Sequence, residues 1–149
     1  MEELIRRLNE GGVRYLLIGG QALRLEGMPR FSMDWDVLLP PRDEENLSRL
    51  NRRLEDELDM PVEPLGPGGE NFVQTYQTRW GVVQFHLLAP GLRNFAELEA
   101  RSVLRETENR TKVRCLCTED LLASKRAADR PQDQQDIAFL VAKLAAGHR

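Results

Sequence analysis

The sequence predicts an α/β or α+β domain in which a mixed β-sheet is flanked by helices, with further helices at the C-terminus. Segments with the helical spacing of apolar residues alternate along the chain with short extended apolar segments, and this order is typical of a sheet covered by helices. The chain has 149 residues, of which 41% are apolar and 30% charged. That length and composition predict one globular domain, residues 1–149, with its own core.

The first part of the chain alternates between helical and extended patterns. Residues 2–9 have helical spacing, and residues 13–18 predict a buried strand that ends at Gly19-Gly20. The segment QALRLEG is typical of a short helix closed by a glycine. Residues 31–39 then predict a second strand, which Pro40-Pro41 would terminate.

The remainder of the chain predicts a long helix, a hairpin, a short strand and two closing helices. Asp43 can cap the long helix, which carries leucines at spacings of three and four. Pro131 separates the two closing helices. The predicted ranges are 43–58 for the long helix, 72–78 and 82–88 for the hairpin strands, 95–104 for a further helical stretch, 112–117 for the short strand, and 121–128 and 132 onwards for the closing helices.

A doubly wound dinucleotide-binding fold is the competing interpretation, and the glycines argue against it. They stand at positions 11, 12, 19, 20 and 27, which does not give G-x-G-x-x-G between a strand and a helix. The sequence therefore favours the mixed sheet.

Charge and hydropathy exclude several classes of partner and cofactor. The formal net charge of −3 argues against a duplex DNA footprint, which usually needs a basic stripe. No apolar run approaches the roughly 20 residues that span a bilayer, and the N-terminus lacks the apolar core of a signal peptide, so a cytoplasmic protein without membrane contact is expected. Cys115 and Cys117 are too close in sequence for an unstrained disulfide, which predicts reduced strand residues.

The stretch FSMDWDVLLPP places two carboxylates one residue apart in an otherwise apolar segment. In a strand, Asp34 and Asp36 would share one face, because side chains alternate with a period of two. At about 5 Å and an effective dielectric of roughly 20, their repulsion is on the order of 3 kcal/mol. A cation should therefore lie beside them, unless the pair only marks a solvated strand face.

Two motifs of this chain resemble the nucleotidyltransferase superfamily that includes DNA polymerase β. The first is Ile18-Gly19-Gly20, a gap of thirteen residues, and then Asp34-Trp35-Asp36-Val37. The second is TEDLLASKRAADRPQDQQDIAFL, which is similar to the C-terminal block of small bacterial members, several of which are toxin-antitoxin or abortive-infection proteins. Together the motifs touch residues from about 13 to 140, nearly the whole chain.

The resemblance implies a nucleotidyltransferase-like fold and a chemistry. It implies that Asp34 and Asp36 are catalytic ligands of Mg²⁺, and that an acceptor hydroxyl attacks the α-phosphate of a nucleoside triphosphate with loss of pyrophosphate. Gly19 and Gly20 would let a phosphate approach the backbone at the start of a helix. The resemblance also implies nucleotide contacts for Arg30, Ser32 and Lys125.

The chain departs from the family pattern at the third carboxylate that active members usually bring from a neighbouring strand. The expected strand reads VVQFHL, with Gln84 nearest that position and His86 on the same face. A glutamine oxygen can ligate Mg²⁺ weakly but cannot accept a proton, so His86 is the alternative catalytic base, or else a structural histidine.

Several alternatives stay open at this stage. Lys125, Arg130, Asp133 and Asp136 either contact the triphosphate or form salt bridges between helices. The chain is either an enzyme or a degenerate relative that binds a nucleotide or a partner protein, such as a cognate antitoxin or another helical protein. The acceptor is a protein, an RNA or a small molecule.

Overall fold

The computed structural model describes residues 1–147, within which six helices and six strands follow one another. Their order and bounds are α1 (Glu2–Glu10), β1 (Leu16–Ile18), α2 (Gly19–Leu25), β2 (Trp35–Leu38), α3 (Glu44–Arg53), β3 (Val73–Thr78), β4 (Gly81–His86), α4 (Phe95–Arg101), β5 (Val103–Glu106), β6 (Lys112–Cys115), α5 (Thr118–Ala128) and α6 (Gln134–Ala145), with a 3₁₀ turn at Pro131–Asp133.

The strands form one mixed sheet in the order β3-β4-β2-β1-β6-β5. Strand β2 lies between β4, to which it is parallel, and β1, to which it is antiparallel. Strand β1 is parallel to β6, and the outer pairs β3–β4 and β5–β6 are antiparallel hairpins. The predicted mixed sheet with flanking helices is therefore confirmed.

The two faces of β4 differ in burial, and this difference separates the core from the site. Val83 and Phe85 are fully buried, whereas Gln84 and His86 on the opposite face are only partly buried. Around the sheet, α1 packs against α3 and β6, α2 packs against β1 and β2, and α5 packs against α6.

All five predicted strands are longer than the observed ones, and the largest excess lies at the start of β1 and at the start of β2. At the start of β1, the Asn46 side chain accepts from the Arg14 backbone N–H at 2.7 Å and donates to its carbonyl at 3.0 Å, so this residue has no strand partner. At the start of β2, residues 31–34 lie past the end of β1, which is only three residues long and therefore too short to pair with them. Asp34 therefore directly precedes the strand instead of lying in it.

Three predicted helix boundaries are also wrong. The long helix ends at Arg53, not near residue 58, and an acidic run at residues 55–57 is unfavourable at the negative end of a helix dipole. The stretch 95–104 contains only seven helical residues, because Val103 and Leu104 pair with β6 as part of a sixth strand. The last helix begins at Gln134, after the 3₁₀ turn.

The cysteines are both free and buried. Cys115 ends β6 as a strand residue, and burial raises the pKa of its thiol to about 12. Cys117 lies outside the strand, as the residue that precedes α5. Within residues 1–147, none of the helices combines the length and apolarity needed to cross a bilayer.

Candidate active site

A cleft of about 730 Å³ opens on the sheet face that carries Gln84 and His86. It lies between that face and α5, and the loop of residues 30–34 forms part of its rim. Nine of the residues that the sequence singles out line this cleft: Gly19, Gly20, Arg30, Ser32, Asp34, Asp36, Gln84, His86 and Lys125. Residues from four separate parts of the chain thus meet in one place.

The glycine pair begins α2 at the end of β1 and allows two side chains to approach the backbone closely. Gly19 has a φ of +70°, and a Cβ atom there would lie 2.6 Å from Asp36 Oδ2. A Cβ atom on Gly20 would lie 2.6 Å from Ser32 Oγ. Real Cβ atoms are not found at such distances, so both positions require glycine for the observed arrangement.

The loop of residues 30–34 is held against α2 by hydrogen bonds. The buried side chain of Gln21 donates to the Ser32 carbonyl at 2.6 Å, and Ser32 Oγ donates to the Asp34 carbonyl at 3.3 Å. Two large apolar side chains of this loop remain in solvent, with Phe31 82% and Met33 73% exposed. The loop therefore presents Arg30, Ser32 and Asp34 to the cleft from a fixed backbone.

Asp36 is the central side chain of the site. His86 Nε2 lies 2.8 Å from Asp36 Oδ1, and both side chains are about one-fifth exposed. Since a carboxylate oxygen accepts, Nε2 carries a proton in this contact, and in the neutral form of this tautomer the lone pair would be on Nδ1. Gln84 is the register partner of Asp36 in the parallel β2–β4 pair.

Three cationic side chains at the cleft share two buried carboxylates. Asp136, 3% exposed, accepts from Arg30 Nη1 at 2.6 and 2.7 Å and lies 3.0 Å from Lys125 Nζ. Asp133 accepts from Arg130 in a bidentate pair at 2.9 Å and lies 3.4 Å from Lys125 Nζ. The salt bridges that the sequence offered as one alternative are thus formed, and the same three cationic side chains also line the cleft.

The network has consequences for the charges of the site. The hydrogen bond from Arg130 holds the pKa of Asp133 down to about 2, against its usual 3.8. Hydrogen bonding to Asp133 raises the pKa of Arg130, with a smaller contribution from the charge of Asp36. Three cations on two carboxylates leave one positive charge, which partly offsets the repulsion expected between Asp34 and Asp36.

Some residues of the cleft were not identified from the sequence. Leu121, Ser124 and Ala128 line it from α5 together with Lys125, and their spacing of three and four residues places them on one helix face. That spacing in the sequence could have identified them as cleft residues. No local pattern could have predicted that Asp136 holds Arg30, because the two residues are 106 positions apart.

The donor set fits a single Mg²⁺ ion. Among residues 1–147, no three His, Cys, Asp or Glu side chains are placed to share a metal. Mg²⁺, however, is often held by one or two carboxylates, with water and substrate phosphate completing the octahedron. Within the same described residues, the Asp34 carboxylate has no hydrogen bond or ion pair, and Asp36 Oδ1 is bonded to His86 while Oδ2 faces Gly19.

Comparison with solved structures shows that the chain has a nucleotidyltransferase-like fold. The Thermotoga maritima protein TM1012, provisionally named a nucleotidyltransferase, superposes with a TM-score of 0.66 at 14% identity over 95% of this chain and 89% of its own. The lincosamide antibiotic adenylyltransferase LnuA, solved with bound lincomycin, gives 0.64 at 18% identity over 93% and 92%. The antibiotic-resistance factor ANT(2″)-Ia, solved with adenylyl-2″-tobramycin, gives 0.62 at 17% identity over 97% and 87%.

The likeness is confined to three-dimensional structure. No protein-family model and no curated protein sequence matches the chain. At 14–18% identity the comparison establishes the fold alone.

Proposed function

We propose that this protein transfers a nucleoside monophosphate from a nucleoside triphosphate to an acceptor hydroxyl. The observation that carries the proposal is the joint placement of Asp34 and Asp36, Gly19-Gly20 and three cations around one cleft. Paired carboxylates suit a hard cation, and glycine backbone beside arginine and lysine suits phosphate oxygens.

We assign roles to these residues from their places in the sheet. Asp36 lies on central β2, the glycine pair follows β1 on one side, and Gln84 and His86 lie on β4 on the other. The β and γ phosphates bind on the glycine side, where Arg30 and Lys125 reach the cleft. Asp34 and Asp36 would hold Mg²⁺, and the bound ion would neutralise phosphate charge and stabilise the attacking and leaving oxygens.

The reaction is an in-line substitution at the α-phosphorus. The acceptor oxygen forms a bond to phosphorus, the bond to the pyrophosphate oxygen breaks, and the hydroxyl proton is lost. His86 can take this proton only through Nδ1, because its Nε2–H is donated to Asp36. Gln84 can orient the acceptor by hydrogen bonding but cannot remove its proton.

The structural neighbours support a small-molecule acceptor over a macromolecule. LnuA was solved with lincomycin, and ANT(2″)-Ia with adenylylated tobramycin. Both are similar in fold to this chain over nearly its whole length. Transfer to RNA or to a protein, including a cognate partner, is an outcome that the experiment also detects.

The test is incubation with each α-labelled nucleoside triphosphate and Mg²⁺, together with a panel of small hydroxylated molecules, RNA and the protein alone. We expect label on an acceptor and release of pyrophosphate. Asp34→Asn and Asp36→Asn should both abolish transfer, whereas Asp59→Asn, an exposed aspartate outside the cleft, should retain it. Transfer that survives in both cleft variants would contradict the assignment.

A second candidate function is nucleotide or partner binding without transfer. It is favoured by Gln84, which stands opposite Asp36 where a third carboxylate would be expected. Calorimetric titration with Mg²⁺ and each nucleotide distinguishes the two. Binding that depends on Asp34, with no transfer to any acceptor, would support the binding function and contradict the transfer function.

A further inference from the structure

An apolar groove borders the cleft at the carboxyl ends of β2 and β4. Its volume is about 460 Å³, within the usual range for small-molecule sites. Ala89 lines both the cleft and the groove, and Gly91 packs against α5 beside Ala123. The groove is defined here by Leu38, Leu87, Leu88, Ala89, Leu92 and Phe95.

The groove begins where the β2–β4 pair ends. A hydrogen bond joins the Leu39 backbone N–H to the His86 carbonyl at 2.9 Å, and the chain then bends at Leu87 and Leu88, whose backbone N–H groups both donate to the Phe72 carbonyl. Leu88 is 43% exposed, so its side chain is accessible to a ligand in the groove.

In-line geometry assigns an occupant to this groove. Attack on the α-phosphorus must come from the side opposite the leaving pyrophosphate. With the phosphates on the Gly19 side of Asp36, the acceptor hydroxyl arrives from the β4 side, next to Gln84 and His86. The rest of the acceptor molecule then extends into the groove.

The lining of the groove sets the chemical class of that acceptor. Among the described residues that line it, Arg93 is the charged one, and the walls are otherwise mostly leucine with Phe95. A polycation such as an aminoglycoside would meet an arginine and no carboxylate there. We infer that the acceptor is a neutral or anionic alcohol with an apolar body, an inference that rests on the proposed transfer function.

The first test measures binding without catalysis. The probe is 1-anilinonaphthalene-8-sulfonate, an anion with an apolar ring system, which should bind the wild-type protein. Leu88→Asp should weaken its affinity by about tenfold or more, because the variant loses an apolar contact and its carboxylate repels the sulfonate. Leu88 is partly in solvent, so the variant should fold. The matched control is Leu104→Asp, at a 52% exposed leucine of β5, which should change nothing.

The second test measures transfer with ATP to octyl glucoside, kept below its micelle concentration, and to tobramycin. The wild-type protein should prefer octyl glucoside, and Leu88→Asp should raise the KM for octyl glucoside about tenfold or more while leaving the KM for ATP unchanged. A preference of the wild-type protein for tobramycin, or equal probe binding in Leu88→Asp and wild type, would overturn the inference. If Leu88→Asp abolishes probe binding but the wild-type protein transfers nothing, the groove is a binding site and the proposed transfer function is wrong.

Discussion

His86 Nε2 donates to Asp36 Oδ1 at 2.8 Å, and this contact joins the two central strands of the site. On its other side, the Asp36 carboxylate lies against the backbone of Gly19, with Oδ2 where a Cβ atom would clash. One carboxylate is thus fixed from both directions. Its second oxygen is left facing the glycine side of the cleft, where the phosphates of the proposed substrate bind.

Removal of His86 should weaken metal binding before it affects anything else. His86→Ala frees Asp36 Oδ1 and the rotamer of the carboxylate, and loss of such a supporting contact typically costs about 10–100-fold in metal affinity. Titration with Mn²⁺ as a paramagnetic substitute for Mg²⁺ checks this. If His86 is also the base, transfer at saturating metal stays low in the variant; full recovery at high metal would show that it only positions Asp36.

Replacement of Gln84 by aspartate should create the missing third carboxylate. Gln84 is paired in register with Asp36, so a carboxylate there points into the same cleft. Gln84→Asp should increase both Mg²⁺ affinity and transfer rate, the latter by as much as the roughly 10²–10⁴ of a positioned general base. Single-turnover assays measure the rate. The matched control is Gln77→Asp at an exposed position of β3, and an equal gain there would exclude a specific effect.

A methyl group at Gly19 should disturb Asp36 directly. Gly19→Ala combines a strained backbone, with φ at +70°, and a contact of 2.6 Å to Asp36 Oδ2. Gly12→Ala is the matched control, because its φ is +64° and, within residues 1–147, no atom beyond its chain neighbours lies within 4 Å of the added Cβ. Both variants should lose about 1–2 kcal/mol of stability from the left-handed backbone. Gly19→Ala alone should lose additional stability, and it should also bind Mg²⁺ more weakly. Equal losses of stability for the two variants in urea unfolding would disprove the contact with Asp36.

Local sequence patterns predicted many of the residues that line the cleft but not the contacts between them. The glycine pair and the alternating aspartates are short-range signals, and they were enough to locate one wall of the site. The His86–Asp36 contact spans 50 positions and depends on β4 lying parallel beside β2. Strand order is set by packing of the whole chain, so no local pattern could supply that pairing.

Strand β5 shows the same limit at the level of the fold. Val103 and Leu104 continue the apolar spacing of α4 closely enough to extend a helical pattern through them. Their strand conformation comes from pairing with Cys115 and Arg114 of β6. A four-residue edge strand of this kind carries too few side chains for its period of two to be distinguished from the end of a helix.

The buried carboxylate of Glu26 should be the most sensitive ionic position for stability. Its side chain is 0% exposed and accepts from Arg105 at 2.7 Å, Lys143 at 2.6 Å and Thr118 at 3.0 Å, which connects four elements. Glu26→Gln leaves two cations without their counter-charge, and we expect a loss of about 3–5 kcal/mol in urea unfolding. Glu45→Gln, in the exposed pair with Arg49, should lose no more than about 1 kcal/mol. Equal effects would show that Glu26 is not the structural centre of this cluster.

The Asp133–Arg130 pair should give the stability of the protein a distinct dependence on acid. The pKa of Asp133 is about 2 in the folded state and 3.8 in the unfolded reference, so the folded state binds this proton more weakly. Because the folded pKa is the lower one, the contribution is complete above about pH 4 and is lost as the pH falls through 2. At 1.36 kcal/mol per pKa unit, it amounts to about 2 kcal/mol at neutral pH.

Asp133→Asn isolates this contribution, because asparagine cannot titrate. Urea unfolding from pH 7 down to pH 2 should show the variant less stable than wild type by about 2 kcal/mol at pH 7, with the difference shrinking between pH 4 and 2. Asp59→Asn, at an exposed position, should follow the wild-type curve to within about 0.5 kcal/mol throughout. A difference for Asp133→Asn that stays constant down to pH 2 would show that the aspartate stabilises the protein through packing and neutral hydrogen bonds. Its charge pairing with Arg130 would then contribute nothing.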